Sequence, residues 1–219
     1  MLAIIFDFDG LILDTETPDF QAWKEVYQAY GLDLPINLWL TFVGGTSETD
    51  FEPHEYLEKQ LNSKVDREQI WVSRRKSYLE HLEGLPVMPG VKELLDASRQ
   101  RDLKLAVASS SPENWVSGHL TRLGLSDYFD AIVTADDVEE TKPNPALFLL
   151  AAEKLGVRPG DVIVLEDSPN GVHGAKRAGM FVVAVPNSIT ARADLGAADL
   201  QLSSLAEITL DGLLEKAQG

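Results

Sequence analysis

Apolar and polar positions follow two different rhythms along this chain, and the change of rhythm divides it. Leu2-Ala3-Ile4-Ile5-Phe6 is a continuous apolar run that breaks off at Asp7 and Asp9. A short run of that kind predicts a strand buried on both faces, as at the centre of a parallel sheet. Beyond Thr15 the spacing lengthens. Phe20, Trp23, Val26, Tyr27 and Tyr30 recur every three or four residues, which predicts a helix stopped at Gly31. Residues 35–43 predict a short second helix closed by Gly44-Gly45. A third is expected from about residue 47 or 48 to Leu61, with a break near Pro53. A fourth, capped by Asp66, carries Ile70, Trp71, Tyr78, Leu79 and Leu82 on one face. Residues 16–84 therefore read as helix, with no strand among them.

From Pro89 onward the pattern alternates. Helices are expected at 91–101, 112–123, 145–155 and 171–178, and buried strands at 103–108, 131–134, 162–165 and 181–185. Strand–helix–strand repeated in this way predicts an α/β fold, a Rossmann-like doubly wound parallel sheet, with the all-helical segment inserted after the first strand. The tail 188–219 is polar and then amphipathic, and it carries no evident chemical signal. In open sheets of this class ligands sit beyond the carboxyl ends of the strands, where the strand order reverses.

The strand ends are where chemistry collects. Residues two apart on a strand face the same side, so Asp7 and Asp9 start as neighbours, and Gly10 lets the backbone turn sharply after them. Ser109 ends a second strand, and Glu166-Asp167 end another. Lys142 stands in the loop Glu140-Thr141-Lys142-Pro143-Asn144-Pro145, just before a helix. Each of these taken singly reads as well as a polar loop, a helix cap or a solvated charge. Their placement together at one sheet edge makes an oxygen-rich site, which suits Mg²⁺ held by carboxylates and a substrate phosphate.

Composition narrows the field. The 219 residues carry a net charge of −16, which argues against a nucleic-acid partner, since phosphate backbones are bound by Lys and Arg. An anionic substrate would need a metal ion or a local cluster of cations. No apolar run approaches the ~20 residues of a membrane helix. Met1-Leu2-Ala3-Ile4 has no basic stretch of the signal-peptide kind. Cysteine is absent, so thiolate metal sites and disulfides are excluded and a cytoplasmic location is expected. His54, His81, His119 and His173 show no metal-ligand spacing.

Four pieces together resemble the motifs of the haloacid dehalogenase superfamily of phosphotransferases: Asp7-Phe8-Asp9-Gly10 with Asp14-Thr15, Ser109, Lys142-Pro143 with Pro145, and Glu166-Asp167-Ser168 with Gly171. The match covers the order and spacing of the whole chain. The helical insert resembles the cap of the β-phosphoglucomutase-like subfamily. The resemblance implies a core of residues 1–15 and 86–219 and a cap of residues 16–85. It implies that Asp7 is the nucleophile that forms an aspartyl-phosphate, and that Asp9 is general acid and then general base. Mg²⁺ would be held by the Asp7 carboxylate, the Asp9 backbone carbonyl and Asp167, with Glu166 a further ligand or behind the ligands. Lys142 and Ser109 would hold the transferring oxygens. True dehalogenases lack the second aspartate of the first motif, so Asp9 counts against that activity.

The expected activity is hydrolysis of a small phosphorylated metabolite, a sugar phosphate or phosphoglycolate, by a monomer or weak dimer. A phosphosugar mutase and a non-catalytic phosphometabolite-binding protein are the alternatives. Two departures disfavour the mutase. Asp19 stands where authentic mutases have a histidine, and Gly44-Gly45-Thr46-Ser47-Glu48 lacks the arginine that grips a second phosphate. Arg74-Arg75-Lys76 reads as a solvated helix face, and Trp23, Trp39 and Trp71 as the cap's small core. Asp19, Ser110 and Asn114 are candidate substrate contacts, while Trp115 reads as packing at a helix start.

Overall fold

The computed structural model describes residues 1–43 and 52–218. Six parallel strands form one sheet: β1 (Ala3–Phe6), β2 (Lys104–Ala108), β3 (Ala131–Val133), β4 (Val162–Glu166), β5 (Phe181–Ala184) and β6 (Leu200–Gln201), in the order β3-β2-β1-β4-β5-β6. The first strand in sequence lies in the middle, paired with β2 on one side and β4 on the other. Order runs outward in both directions from there, so the switch in strand order falls beside the end of β1, where Asp7 emerges. β6 is the strand that the apolar pattern does not announce. It has two residues, too few to show a period.

Alternation along each strand splits the sheet's side chains between two cores. Ile4, Phe6, Leu105, Val107, Ile163 and Leu165 face one layer, which holds α5 (Val91–Gln100), α6 (Glu113–Leu123) and the last helix, α9 (Leu210–Lys216). Ala3, Ile5, Ala106, Ala108, Val162 and Val164 face the other, with α7 (Ala146–Leu155) and α8 (Pro169–Arg177). All twelve of these strand residues are fully buried, which is why the strands read as unbroken apolar runs.

Between β1 and α5 the described residues form four helices of the cap: α1 (Glu16–Ala29), α2 (Ile36–Val43), α3 (Pro53–Leu61) and α4 (Arg67–Leu82). Pro53 opens α3 at a position where its missing N–H costs nothing, with Glu52 accepting from the Glu55 N–H at 2.8 Å. The Gly44-Gly45 closure and the start of the third helix near residue 47 lie outside the described residues. Asp66 caps α4 as expected, accepting from the Gln69 N–H at 3.0 Å.

Phe20, Trp23, Tyr27, Leu34, Trp39, Leu57 and Ile70 build the cap's own core. Trp71 does not join them. It is 58% exposed, and Leu79 is 43% exposed. The buried stripe of α4 is Ile70, Tyr78 and Leu82, with Arg74 on the same line, each four residues from the next. Trp71 and Leu79 belong to the neighbouring stripe with Arg75, and the expected face merged the two.

Candidate active site

The loops at the carboxyl end of the sheet and the facing helices α1 and α4 enclose a pocket of about 790 Å³. From the sheet side it is lined by Asp7, Asp9, Ser109, Lys142 and Asp167, and from the cap by Glu16, Asp19, Arg74, Arg75 and Tyr78. Ser110 and Asn114 line it too. Every predicted site residue except Glu166 is therefore at the pocket wall.

Glu166 sits immediately behind that wall, fully buried at the end of β4. Its Oε1 lies 2.6 Å from the Lys142 ammonium, which also donates to Asp7 Oδ1. Its Oε2 accepts from the backbone N–H groups of Asp167 and Ser168, each at 3.1 Å, and from the Ser168 hydroxyl at 3.0 Å. A side chain at Gly171, on the first turn of α8, would place its Cβ 1.9 Å from this carboxylate. Glu166 thus fixes Lys142 and the start of α8 together.

Asp167 is held on the opposite side. Its Oδ2 accepts from Asn187 Nδ2 at 2.7 Å and from the Thr190 hydroxyl at 3.4 Å. Asn187 also reaches the carbonyl of Gly10 at 3.4 Å. Gly10 has φ +80°, and a Cβ there would stand 2.3 Å from Asp167 Oδ2, so only glycine fits this turn. Thr190 lies in the tail 188–219, where no chemical signal was expected, which is a correction, and Asn187, just before that tail, was not among the expected site residues. Asn187 does follow β5 closely, and the rule that picked out the other strand ends would have found it.

The carboxylates of Asp7, Glu166 and Asp167 each bring an oxygen within 4.8 Å of the others, all buried. Burial first, and then the charge of Glu166, pushes the Asp7 carboxyl up to about 8, against the pull of Lys142. Burial and Asp7 raise Asp167 in the same direction. Lys142 moves upward because Asp7 and Glu166 outweigh its own burial, so it stays charged. Three carboxylates face one ammonium, and a divalent cation is the charge that closes the difference. Donors made only of oxygen suit a hard ion. The residues fit Mg²⁺, with Asp7 and Asp167 placed to hold it and Glu166 largely occupied by Lys142 and the backbone.

Asp9 is not part of that cluster, so its expected place among the metal residues rests on its backbone carbonyl and not its side chain. The carboxylate is held elsewhere: Oδ2 accepts from the hydroxyls of Ser111 at 2.7 Å and Ser109 at 3.2 Å, and Oδ1 from the indole N–H of Trp115 at 2.9 Å. Two neighbouring aspartates thus have separate environments, one against the Lys142 ammonium and two further carboxylates, the other among neutral donors. Trp115 is more than helix-start packing, and Ser111 went unnoticed in a run of three serines.

The cap side also corrects an expectation. Arg74 and Arg75 are not a solvated face. Arg74 forms an ion pair with Asp19 and lies 5.4 Å from the centre of the Trp23 ring. Arg75 lies 5.3 Å over Trp115 and 5.7 Å over Tyr78. Glu16, missed in the sequence, is pushed up to about 8 by burial and by the nearby Asp9.

Comparisons with known proteins agree with this geometry. The chain is 46% identical to YhcW of Bacillus subtilis (strain 168), whose name proposes a phosphatase, over 97% of this chain and 96% of that one. It is 36% identical to a phosphorylated carbohydrates phosphatase of Thermotoga maritima, over 82% of each. A crystal structure from Thermotoga maritima, proposed to be a β-phosphoglucomutase, superposes with a TM-score of 0.79 at 34% identity, covering 98% of this chain and 99% of the other. The model of the haloacid dehalogenase-like hydrolase family matches residues 4–185. That span runs from β1 through the cap to β5 and takes in Asp7, Asp9, Ser109, Lys142 and Asp167, and the chain belongs to this family.

Proposed function

We propose that this chain is a Mg²⁺-dependent phosphomonoesterase that removes phosphate from a small phosphorylated carbohydrate through an aspartyl-phosphate on Asp7. The observation that carries the reading is the separation of the two aspartates: Asp7 against Lys142 and the acidic cluster, Asp9 among Trp115, Ser109 and Ser111. A nucleophile and an acid–base group need different surroundings, and these provide them.

Asp7 attacks phosphorus, the bond to the sugar oxygen breaks, and Asp9 gives that oxygen a proton. Asp9 then takes a proton from water, whose oxygen attacks phosphorus and releases Asp7. Lys142 and Ser109 hold the transferring oxygens throughout. Mg²⁺, when bound by Asp7 and Asp167, supplies positive charge that lets an anionic nucleophile meet an anionic phosphate. Residues 16–85 act as the cap on a core of residues 1–15 and 86–219. The name of the Thermotoga maritima phosphatase supports a carbohydrate substrate, and Asp19, Ser110 and Asn114 at the pocket wall offer groups for its hydroxyls.

A mutase is the second reading, because Arg75 faces the pocket with no ion-pair partner among the described residues. Arg74 is neutralised by Asp19, which leaves one cation for a second phosphate. Phosphate release from a panel of sugar phosphates, with and without Mg²⁺, tests the proposal. Mg²⁺-dependent release supports it. Interconversion of glucose phosphates that needs a bisphosphate primer, without net release, would favour the mutase.

A further inference from the structure

Trp115 touches Asp9 and the cap at once, and no expectation accounts for either contact. Its indole N–H donates to Asp9 Oδ1 at 2.9 Å. Its ring stacks on Tyr78 of α4, with centroids 5.8 Å apart and an interplanar angle of 17°, and Arg75 of the same helix lies over it. We propose that Trp115 is a positioning residue: it orients the Asp9 carboxylate for proton transfer, and it ties that orientation to the seating of α4. This rests on the phosphomonoesterase reading above.

The donors around Asp9 differ in what they can do. The hydroxyls of Ser109 and Ser111 both donate and accept, so they tolerate either protonation state of Asp9. An indole N–H only donates. Oδ1 is therefore kept as an acceptor, and the proton that Asp9 passes to the leaving oxygen is carried on Oδ2. That is the oxygen beside Ser109, the group placed to hold the phosphoryl oxygens. In the first step this proton moves to the sugar oxygen as its bond to phosphorus breaks. In the second, Oδ2 takes a proton from the attacking water as its oxygen bonds to phosphorus. Without the N–H the carboxylate is held through Oδ2 alone, by two hydroxyls that can themselves rotate, and the proton faces a less fixed direction.

The stack with Tyr78 adds the second half. α4 belongs to the cap, while α6, which carries Trp115, belongs to the sheet's helical layer. Three aromatic and cationic groups in contact across that boundary make the indole's place depend on where α4 sits.

The test compares two phosphate monoesters in the full-length protein. p-Nitrophenyl phosphate releases an oxygen that hardly needs a proton, whereas a sugar phosphate releases an alkoxide that does. Trp115→Phe keeps an aromatic ring, though a smaller one, and removes the N–H. Expected is a fall of about tenfold or more in kcat/KM for the sugar phosphate, part of the ~10²–10⁴-fold that a positioned acid contributes, with at most about twofold for p-nitrophenyl phosphate. In an Asp9→Asn background the same change should add no selectivity, because the group it acts through is gone. Should Trp115→Phe fold poorly, 3-benzothienylalanine at position 115 keeps the bicyclic outline and lacks only the N–H. Equal losses on both esters, no loss on either, or selectivity that persists without Asp9 would each overturn the proposal. An inactive parent enzyme would instead remove the phosphomonoesterase reading beneath it.

Discussion

Asp7 and Asp9 are two residues apart and share no hydrogen-bond partner among the described residues. The consequences of replacing them should differ accordingly. Asp7→Asn removes the proposed nucleophile, and turnover should vanish on every ester. Asp9→Asn leaves attack on p-nitrophenyl phosphate possible while hydrolysis of the phosphoenzyme slows. A burst of nitrophenol followed by a slow steady state is expected in stopped-flow traces, and none from Asp7→Asn. Bursts of equal size from both variants would show that the nucleophile is misassigned. Gly10 makes a second prediction at this scale. In Gly10→Ala a positive φ costs about 1–2 kcal/mol by itself, and the new Cβ would meet Asp167 Oδ2 at 2.3 Å. Lower stability in urea and a higher Mg²⁺ requirement should appear together. A variant with parental Mg²⁺ dependence would mean that the Gly10–Asp167 contact does not set the carboxylate.

At the scale of elements, the cap's stability contains an ionic component that pH should reveal. Glu58 of α3 accepts from Arg67 at 2.9 Å and from Lys64 at 2.8 Å. These hydrogen bonds, Arg67's first, hold its carboxyl down at about 2. A carboxyl depressed on folding stabilises the protein fully above its unfolded value of 4.5, and the contribution fades as pH falls toward 2. The gap in urea midpoint between the parent and Glu58→Gln should therefore be constant above about pH 5 and close by about pH 2. A gap unchanged between pH 7 and pH 3 would exclude the mechanism.

The same scale shows what could be read in advance. β1, β2, β4 and β5 were legible because both faces of their central stretches are buried, so the apolar run is continuous there, with the exposed Lys104 only at the start of β2. β6 was not, since two residues carry no period. Trp71 was misplaced because apolar residues on adjacent helical stripes look alike until something covers one of them. Arg74 and Arg75 were misread because their partners lie far along the chain: Asp19 is 55 residues from Arg74, and Trp115 comes from another layer. Local pattern reports what a segment is, and it is silent on what a distant segment brings to it. The motif residues escaped that limit only because several strand ends converge on one edge.

For the whole molecule, the excess of acidic over basic groups at the site means that the proposed metal would support the fold as well as the chemistry. Mg²⁺ should raise the melting temperature by mass action, and EDTA should lower it while abolishing phosphate release. Turnover that survived exhaustive chelation would remove the metal from the mechanism. The strand order has another consequence, for how the protein is made. β1 emerges first, yet its partners are Lys104–Ala108 on one side and Val162–Glu166 on the other. Until both have left the ribosome it is an apolar ribbon with two open edges, the kind of segment that aggregates. The Asn187 and Thr190 contacts that brace Asp167 come later still. Synthesis thus exposes the most aggregation-prone strand at the start and completes the site near the end. A stalled chain that stops short of β5 should be inert, and it should depend on a chaperone for as long as it waits.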